Sequence, residues 1–296
     1  MRNRNIVVTF VLTVLTALLT AAPSFAGIHY KAKTHTESSA QKQGNGDIVV
    51  EAWVANDKAH IDFKDSASPM AKQGSYLLTK DGGRTIYMVD PEEKTYAEWN
   101  LQAMLGLVGG IMNGMGPLLK VEFSEPKIEK LVDEDGGTLV GLPTRHYRYR
   151  TSYTMKIRVL GMGNEANVVT DQDVWATDKL QDIALGVWLR SDPPHTGNEQ
   201  FDKLLASQMQ HSKGFPLKTV TVSTSTQAKG NKQTVTRSTM EVTELQNATP
   251  PASAFEIPAG YKETQLLPEN KEDEGQGGLG GLLRRNKKSS GNGDGR

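Results

Sequence analysis

The sequence predicts a mainly β protein with some α-helix, an α+β chain built on antiparallel strands. Three observations predict it. Apolar and polar residues alternate with a period of two, most cleanly at Ala59-His60-Ile61-Asp62-Phe63-Lys64, where Ala59, Ile61 and Phe63 point one way and the other three the opposite way. Turn-forming clusters separate such stretches: Asn56-Asp57, Asp81-Gly82-Gly83 and Asp90-Pro91-Glu92-Glu93-Lys94. Apolar residues at helical spacing occur in only a few places, chiefly around residues 178–210.

The N-terminus carries Arg2 and Arg4, an apolar run over residues 6–19, and the boundary Pro23-Ser24-Phe25-Ala26. Small residues at Ser24 and Ala26 fit the two positions that a signal peptidase reads, so residues 1–26 are expected to be a cleaved signal peptide and Gly27 the first mature residue. The chain has no cysteine, which leaves no attachment point for the lipid of a lipoprotein and no disulfide, so the expected location is the soluble periplasm. Thirty-four basic residues balance 34 acidic ones, and losing Arg2 and Arg4 tips the mature chain slightly acidic. That balance, with no clustered basic patch bearing interleaved aromatics, excludes nucleic acid as the expected partner.

Residues 27–46 are polar, with His29 and Tyr30 expected to begin an edge strand. Residues 48–99 read as a four-strand antiparallel meander, whose first strand has apolar residues on both faces, Trp53 opposite Ile48, Val50 and Val54. Residues 101–119 then contain no charge and five glycines, of which Gly106, Gly110 and Gly114 fall at helical spacing. A core helix, a mobile apolar lid and a membrane-spanning helix are the competing readings. The glycines, Gln102, Asn113 and Pro117 make the segment only moderately hydrophobic and weaken the spanning reading. As a lid, its ligand-facing residues would be Met104, Leu105, Leu107, Val108, Ile111, Met112 and Met115, the methionines supplying adaptable packing surface.

Strand character returns at residues 121–123, 126–132 and 138–140, with a turn expected at Asp133-Glu134-Asp135-Gly136-Gly137. Residues 144–160 predict one long strand, with Arg145, Tyr147 and Tyr149 alternating with His146, Arg148 and Arg150 as a solvated polar surface. Another strand covers residues 166–176. Thr177 or Asp178 can cap a helix whose stripe is Leu180, Ile183, Ala184, Val187 and Trp188. A second helix follows Pro193-Pro194 over residues 198–210. Threonine and valine then dominate a hairpin, residues 217–226 and 234–245, and Phe255, Ile257 and Tyr261 are placed to seal one end of the core. Residues 268–296 are charged and glycine-rich and are expected to be a disordered tail.

Tyr76-Leu77-Leu78 followed by Ile86-Tyr87-Met88-Val89-Asp90-Pro91, Lys94, Tyr96 and Trp99, with Gly141-Leu142-Pro143-Thr144-Arg145-His146-Tyr147 and Phe255-Glu256-Ile257-Pro258-Ala259-Gly260-Tyr261, resembles exported bacterial proteins of the lipoprotein-carrier-like (LolA-like) superfamily, in a periplasmic branch of that group. The resemblance covers most of residues 27–267, as a single domain. It implies a half-open antiparallel β-barrel with helices packed in or across its concave face and an apolar cavity between them. In carriers of that class the cavity shields acyl chains.

The motifs of common catalytic sites are missing. The sequence has no nucleophile elbow, no His-Glu-x-x-His, no phosphate-binding glycine loop and no cysteine. Its six histidines, His29, His35, His60, His146, His195 and His211, show no metal-ligand spacing on one element, although His29 and His35 could meet in space. Asp171 and Asp173 share a strand face, close enough to bind a cation or share a proton, but an exposed strand start also explains them. The expectation is a non-enzymatic periplasmic module that binds an apolar or lipid-like ligand and needs no cofactor or metal. The alternative is an envelope interaction protein with a self-filled cavity, whose tail, with Arg284-Arg285-Asn286-Lys287-Lys288, recruits a partner or touches an anionic membrane.

Overall fold

The computed structural model describes residues 27–39, 46–68, 71–100, 102, 103, 106, 119–160, 162–180, 195–209 and 213–264. The segment expected to be a signal peptide, the seven lid candidates Met104, Leu105, Leu107, Val108, Ile111, Met112 and Met115, the helix expected beyond Leu180 and the tail lie outside the described residues. Among the described residues no helix is long and apolar enough to cross a membrane.

Thirteen strands form one sheet: β1 Ile28–Ser38, β2 Gly46–Ala55, β3 Lys58–Ser66, β4 Tyr76–Thr79, β5 Thr85–Asp90, β6 Thr95–Asn100, β7 Leu119–Phe123, β8 Lys127–Leu139, β9 Leu142–Val159, β10 Met162–Thr177, β11 Phe215–Gln227, β12 Gln233–Asn247 and β13 Lys262–Glu263. The one α-helix described along its length is α1 at Glu199–Met209, and Gln102, Ala103 and Gly106 are helical as well. The chain is therefore mostly β with α. Its sheet is open, in the order β13-β6-β5-β4-β3-β2-β1-β12-β11-β10-β9-β7, with β8 pairing β9 beside β7. Every pairing is antiparallel except β13 with β6.

Several expectations are corrected by this topology. The meander has five strands, β2 to β6, because residues 76–79, 85–90 and 95–100 each pair separately with a neighbour. β1 is central, hydrogen-bonded to β12 on one side and β2 on the other, so Ile28, Tyr30 and Ala32 are buried. Residues 133–137 are not a turn. They continue β8, since β9 supplies partners along their length and two bulges absorb the extra residues. The chain reverses instead at Val140 and Gly141, whose φ angles of 41° and 81° are both left-handed, as a two-residue hairpin turn requires. The surface expected along β9 is half core: Tyr147 and Tyr149 are buried, and so is His146.

Period-two alternation gives the sheet two unlike faces. On the core face, Ile28, Tyr30, Ala32, Ala52, Val54, Ala59, Leu217 and Val242 pack together with Phe215 and Leu180, and Tyr30 meets Phe215 edge-on at 5.6 Å. On the opposite, charged face, Tyr76, Leu78 and Val89 form a smaller cluster closed by Phe255, with Ile257 and Tyr261 beside it. The closing role expected of residues 255–261 thus falls on β3 to β6, where His60 Nδ1 lies 2.6 Å from the Ala254 carbonyl and stacks on Tyr76 at 4.3 Å. Burial pushes the Tyr76 phenol up to about 12.

Candidate functional site

Beyond its packed cluster, the core face continues as a lane of half-buried side chains across β1, β12, β11, β10 and β9. Register places Thr34 and Thr36 of β1 beside Met240 and Ser238, then Thr219 and Thr221, then Val174 and Gln172 of β10, then Tyr147 and Tyr149 of β9. Hydroxyls in the lane satisfy one another across the strands: Thr36 Oγ1 with Ser238 Oγ, Thr236 Oγ1 with Ser38 Oγ, and Thr170 Oγ1 with Ser223 Oγ, each at 3.1 Å. Threonine suits such a surface because its methyl group packs while its hydroxyl pairs locally. Burial raises the phenols of Tyr149 and Tyr153, so both remain neutral O–H groups at neutral pH.

At one end of the lane, Phe123 of β7 stacks on Phe201 of α1 at 5.3 Å and lies 6.2 Å from Tyr153. The Phe123 N–H donates to Gln200 Oε1 at 3.0 Å, which ties α1 to the β7 margin. Asn198 caps the helix, its Oδ1 accepting from the Phe201 N–H at 3.0 Å. Just before the helix, His195 pairs through its backbone N–H and carbonyl with the side-chain amide of Gln102, two residues beyond β6. The segment from His195 into α1 thereby joins the chain just beyond β6 to β7. Trp99, the second-last residue of β6, is on the core-face side, and its indole N–H is buried with no partner among the described residues.

Further along β9 from Phe123, toward its start, is a pocket of about 770 Å³, lined by Thr144, Arg145, Tyr147, Ala176, Thr177, Lys179 and Lys213 with Asp135 and Asp178. Arg145 is also anchored to Asp133, whose carboxyl Lys130 and Arg145 together hold below the usual carboxylate range.

The charged face carries the polar residues singled out from the sequence. His146 stacks on Trp175 at 4.2 Å and 6°, with Nε2 2.7 Å from Asp173 Oδ1 and Nδ1 3.1 Å from Glu134 Oε1. Lys218 covers the Trp175 ring at 5.7 Å. Asp173 also accepts from Arg148 Nε at 2.7 Å, and Asp171 from Arg150 Nε at 2.7 Å, the Arg150 contact holding the Asp171 carboxyl low. Asp171 and Asp173 share a face as expected, but each is committed to arginine. Both nitrogens of His146 already face carboxylates, which makes the cluster a clamp between β8, β9 and β10. His29 and His35 do not meet. They bind separate carboxylates, Glu51 at 3.0 Å and Asp47 at 2.6 Å. Among the described residues no group of three such side chains is arranged to hold a metal ion.

Sequence reasoning missed the hydroxyl lane, Trp99 and the pocket. The run of alternate threonines and serines in β11 and β12 was the available signal for the lane. Lys213 carried none, since only the fold brings it beside Arg145. A family model for a domain of unknown function (DUF4412) matches residues 162–261, from β10 through α1, β11 and β12 to the closing segment at Tyr261. No curated protein matches the chain.

Proposed function

We propose that the protein is an exported, non-enzymatic module that holds an apolar or acylated ligand against the core face of its sheet. The observation that carries this reading is the segment from His195 to Phe201, which joins the chain just beyond β6 to β7 at the opposite end of the sheet. Ten strand spacings separate β6 from β7, which on a flat sheet is about 48 Å. The path from Gln102 through His195 to Gln200 and Phe123 covers no more than about 30 Å. Such a path requires the sheet to curl with its core face inward, which supports the half-open barrel of the LolA-like resemblance. Bulges at Lys31, Val49, Lys130, Asp135 and Trp175 supply the bends that a curled sheet needs.

The inner surface would then be the lane of threonine methyls, Val174, Met240 and tyrosine rings, a lining suited to an acyl chain. Its orphan Trp99 N–H suits a carbonyl or ester oxygen of the ligand. Solvent extraction of the purified protein followed by mass spectrometry should yield acyl-bearing molecules, and the emptied protein should bind a fluorescent fatty acid. Thr221→Arg, at the centre of the lane, should abolish that binding while the fold persists. Absence of extractable lipid together with no probe binding would refute the proposal, as would undiminished binding by the variant.

A further inference from the structure

The β9–β10 hairpin ends in an apolar tip that is exposed among the described residues. Val159 is 44% exposed, Leu160 50% and Met162 76%. Val159 and Met162 are partners across the turn, and Leu160 stands at its apex with a left-handed φ of 52°. Below the tip the same side continues through Ile157 and Met155, opposite Val121 and Phe123 of β7. The other side of the hairpin is basic, with Lys156 and Arg158 on β9 and Lys120 on β7. The β11–β12 turn lies alongside, since the Ala228 N–H donates to the Glu165 carbonyl at 2.8 Å, and it adds the exposed Lys229 and Lys232. Against these cations stand Glu122, paired with Lys120 and Arg158, and Glu165, paired with Lys156. This end of the sheet is therefore net positive although the whole chain is balanced.

We propose that the β9–β10 tip inserts into the headgroup region of an anionic bilayer, with Val159, Leu160 and Met162 among the upper acyl carbons and Lys120, Lys156 and Arg158 reaching lipid phosphates. Long basic side chains beside a small apolar tip match an interface where apolar and anionic layers adjoin. A protein partner fits less well, because three side chains fall far short of the roughly 800 Å² that each side of a stable interface buries.

The absence of cysteine makes single-site labelling direct. In the full chain, Leu160→Cys carrying an environment-sensitive fluorophore should brighten and shift to the blue on adding vesicles of equal parts phosphatidylglycerol and phosphatidylcholine. The same label at Asp57→Cys, in the β2–β3 turn, should not respond. The response should fade with pure phosphatidylcholine and with rising salt. Leu160→Asn with Met162→Gln, asparagine being tolerant of positive φ, should reduce vesicle partitioning at least tenfold with an unchanged melting temperature. Vesicle binding with an unmoved label at residue 160 would put the contact elsewhere, for instance on the basic tail, and overturn the proposal. So would absent binding, undiminished partitioning of the double variant, or a label response that needs protein concentration and no lipid.

Discussion

Removing Asp173 should cost much more stability than removing Asp171, although the two carboxylates point the same way from one strand. Asp173 is 13% exposed and accepts from both His146, itself 11% exposed, and Arg148. Asp173→Ala strips His146 of its shorter carboxylate contact where little water can replace it, a hydrogen bond to a charged group worth about 1.5–3 kcal/mol. Arg148 is nearly half exposed, so its loss is screened and adds at most about 1 kcal/mol. Asp171 is 34% exposed and Arg150 46%, and the pair contributes about 0–1 kcal/mol. At about 2–4 °C of melting temperature per kcal/mol for a domain of this size, Asp173→Ala should lower the midpoint by about 3–16 °C and Asp171→Ala by less than about 4 °C. Because both changes are Asp to Ala on the same strand, differences in strand propensity largely cancel. Thermal melts of the two variants measure the contrast, and a double-mutant cycle with His146→Ala isolates the pair. Equal destabilisation by the two substitutions would refute the distinction between a buried clamp and a solvated ion pair.

Gly136→Ala should destabilise by about 1–3 kcal/mol, because the added Cβ would lie 2.6 Å from Thr144 Oγ1, 2.9 Å from Trp175 Cδ1 and 3.0 Å from the His146 backbone nitrogen; a neutral result in urea unfolding would show that this bulge can move. Stability should form a plateau between about pH 5 and 9 and fall on both sides. On the acid side, Glu51, Asp62 and Asp171 titrate below their ordinary values in the fold, so their contribution is complete above those values and is lost as the pH drops below about 4. On the alkaline side, burial raises the Tyr30 and Tyr76 phenols, so their contribution is complete below about pH 10 and is lost above it. Urea midpoints across the pH range would check this, and a steep fall between pH 8 and 6 would contradict it.

Most strands were legible because each alternates against a neighbour and ends in a turn residue, a signal that is local. β9, β10, β11 and β12 were read within a few residues of their bounds for that reason. β8 was misread because Asp133-Glu134-Asp135-Gly136-Gly137 has turn composition, while the fold gives it a long partner in β9 and room to bulge. The central place of β1 was equally invisible, since its β12 partner lies some two hundred residues away.

The site divides along the same line. Alternation by itself determined which side of β9 and β10 each residue takes, and so that Asp171 and Asp173 share a face. Only the tertiary structure decided what that face meets: Arg150 for one carboxylate, Arg148 and a histidine stacked on Trp175 for the other. Sequence determined that β11 and β12 alternate threonine and serine with apolar residues, and tertiary pairing decided that on the core face hydroxyls of β12 meet those of β1 and Ser223 of β11 meets Thr170 of β10. The physical reason is range. Periodicity and turn chemistry act over a few residues, whereas strand order, bulges and the link from Gln102 through His195 to β7 depend on contacts between distant segments, whose partners no local pattern names.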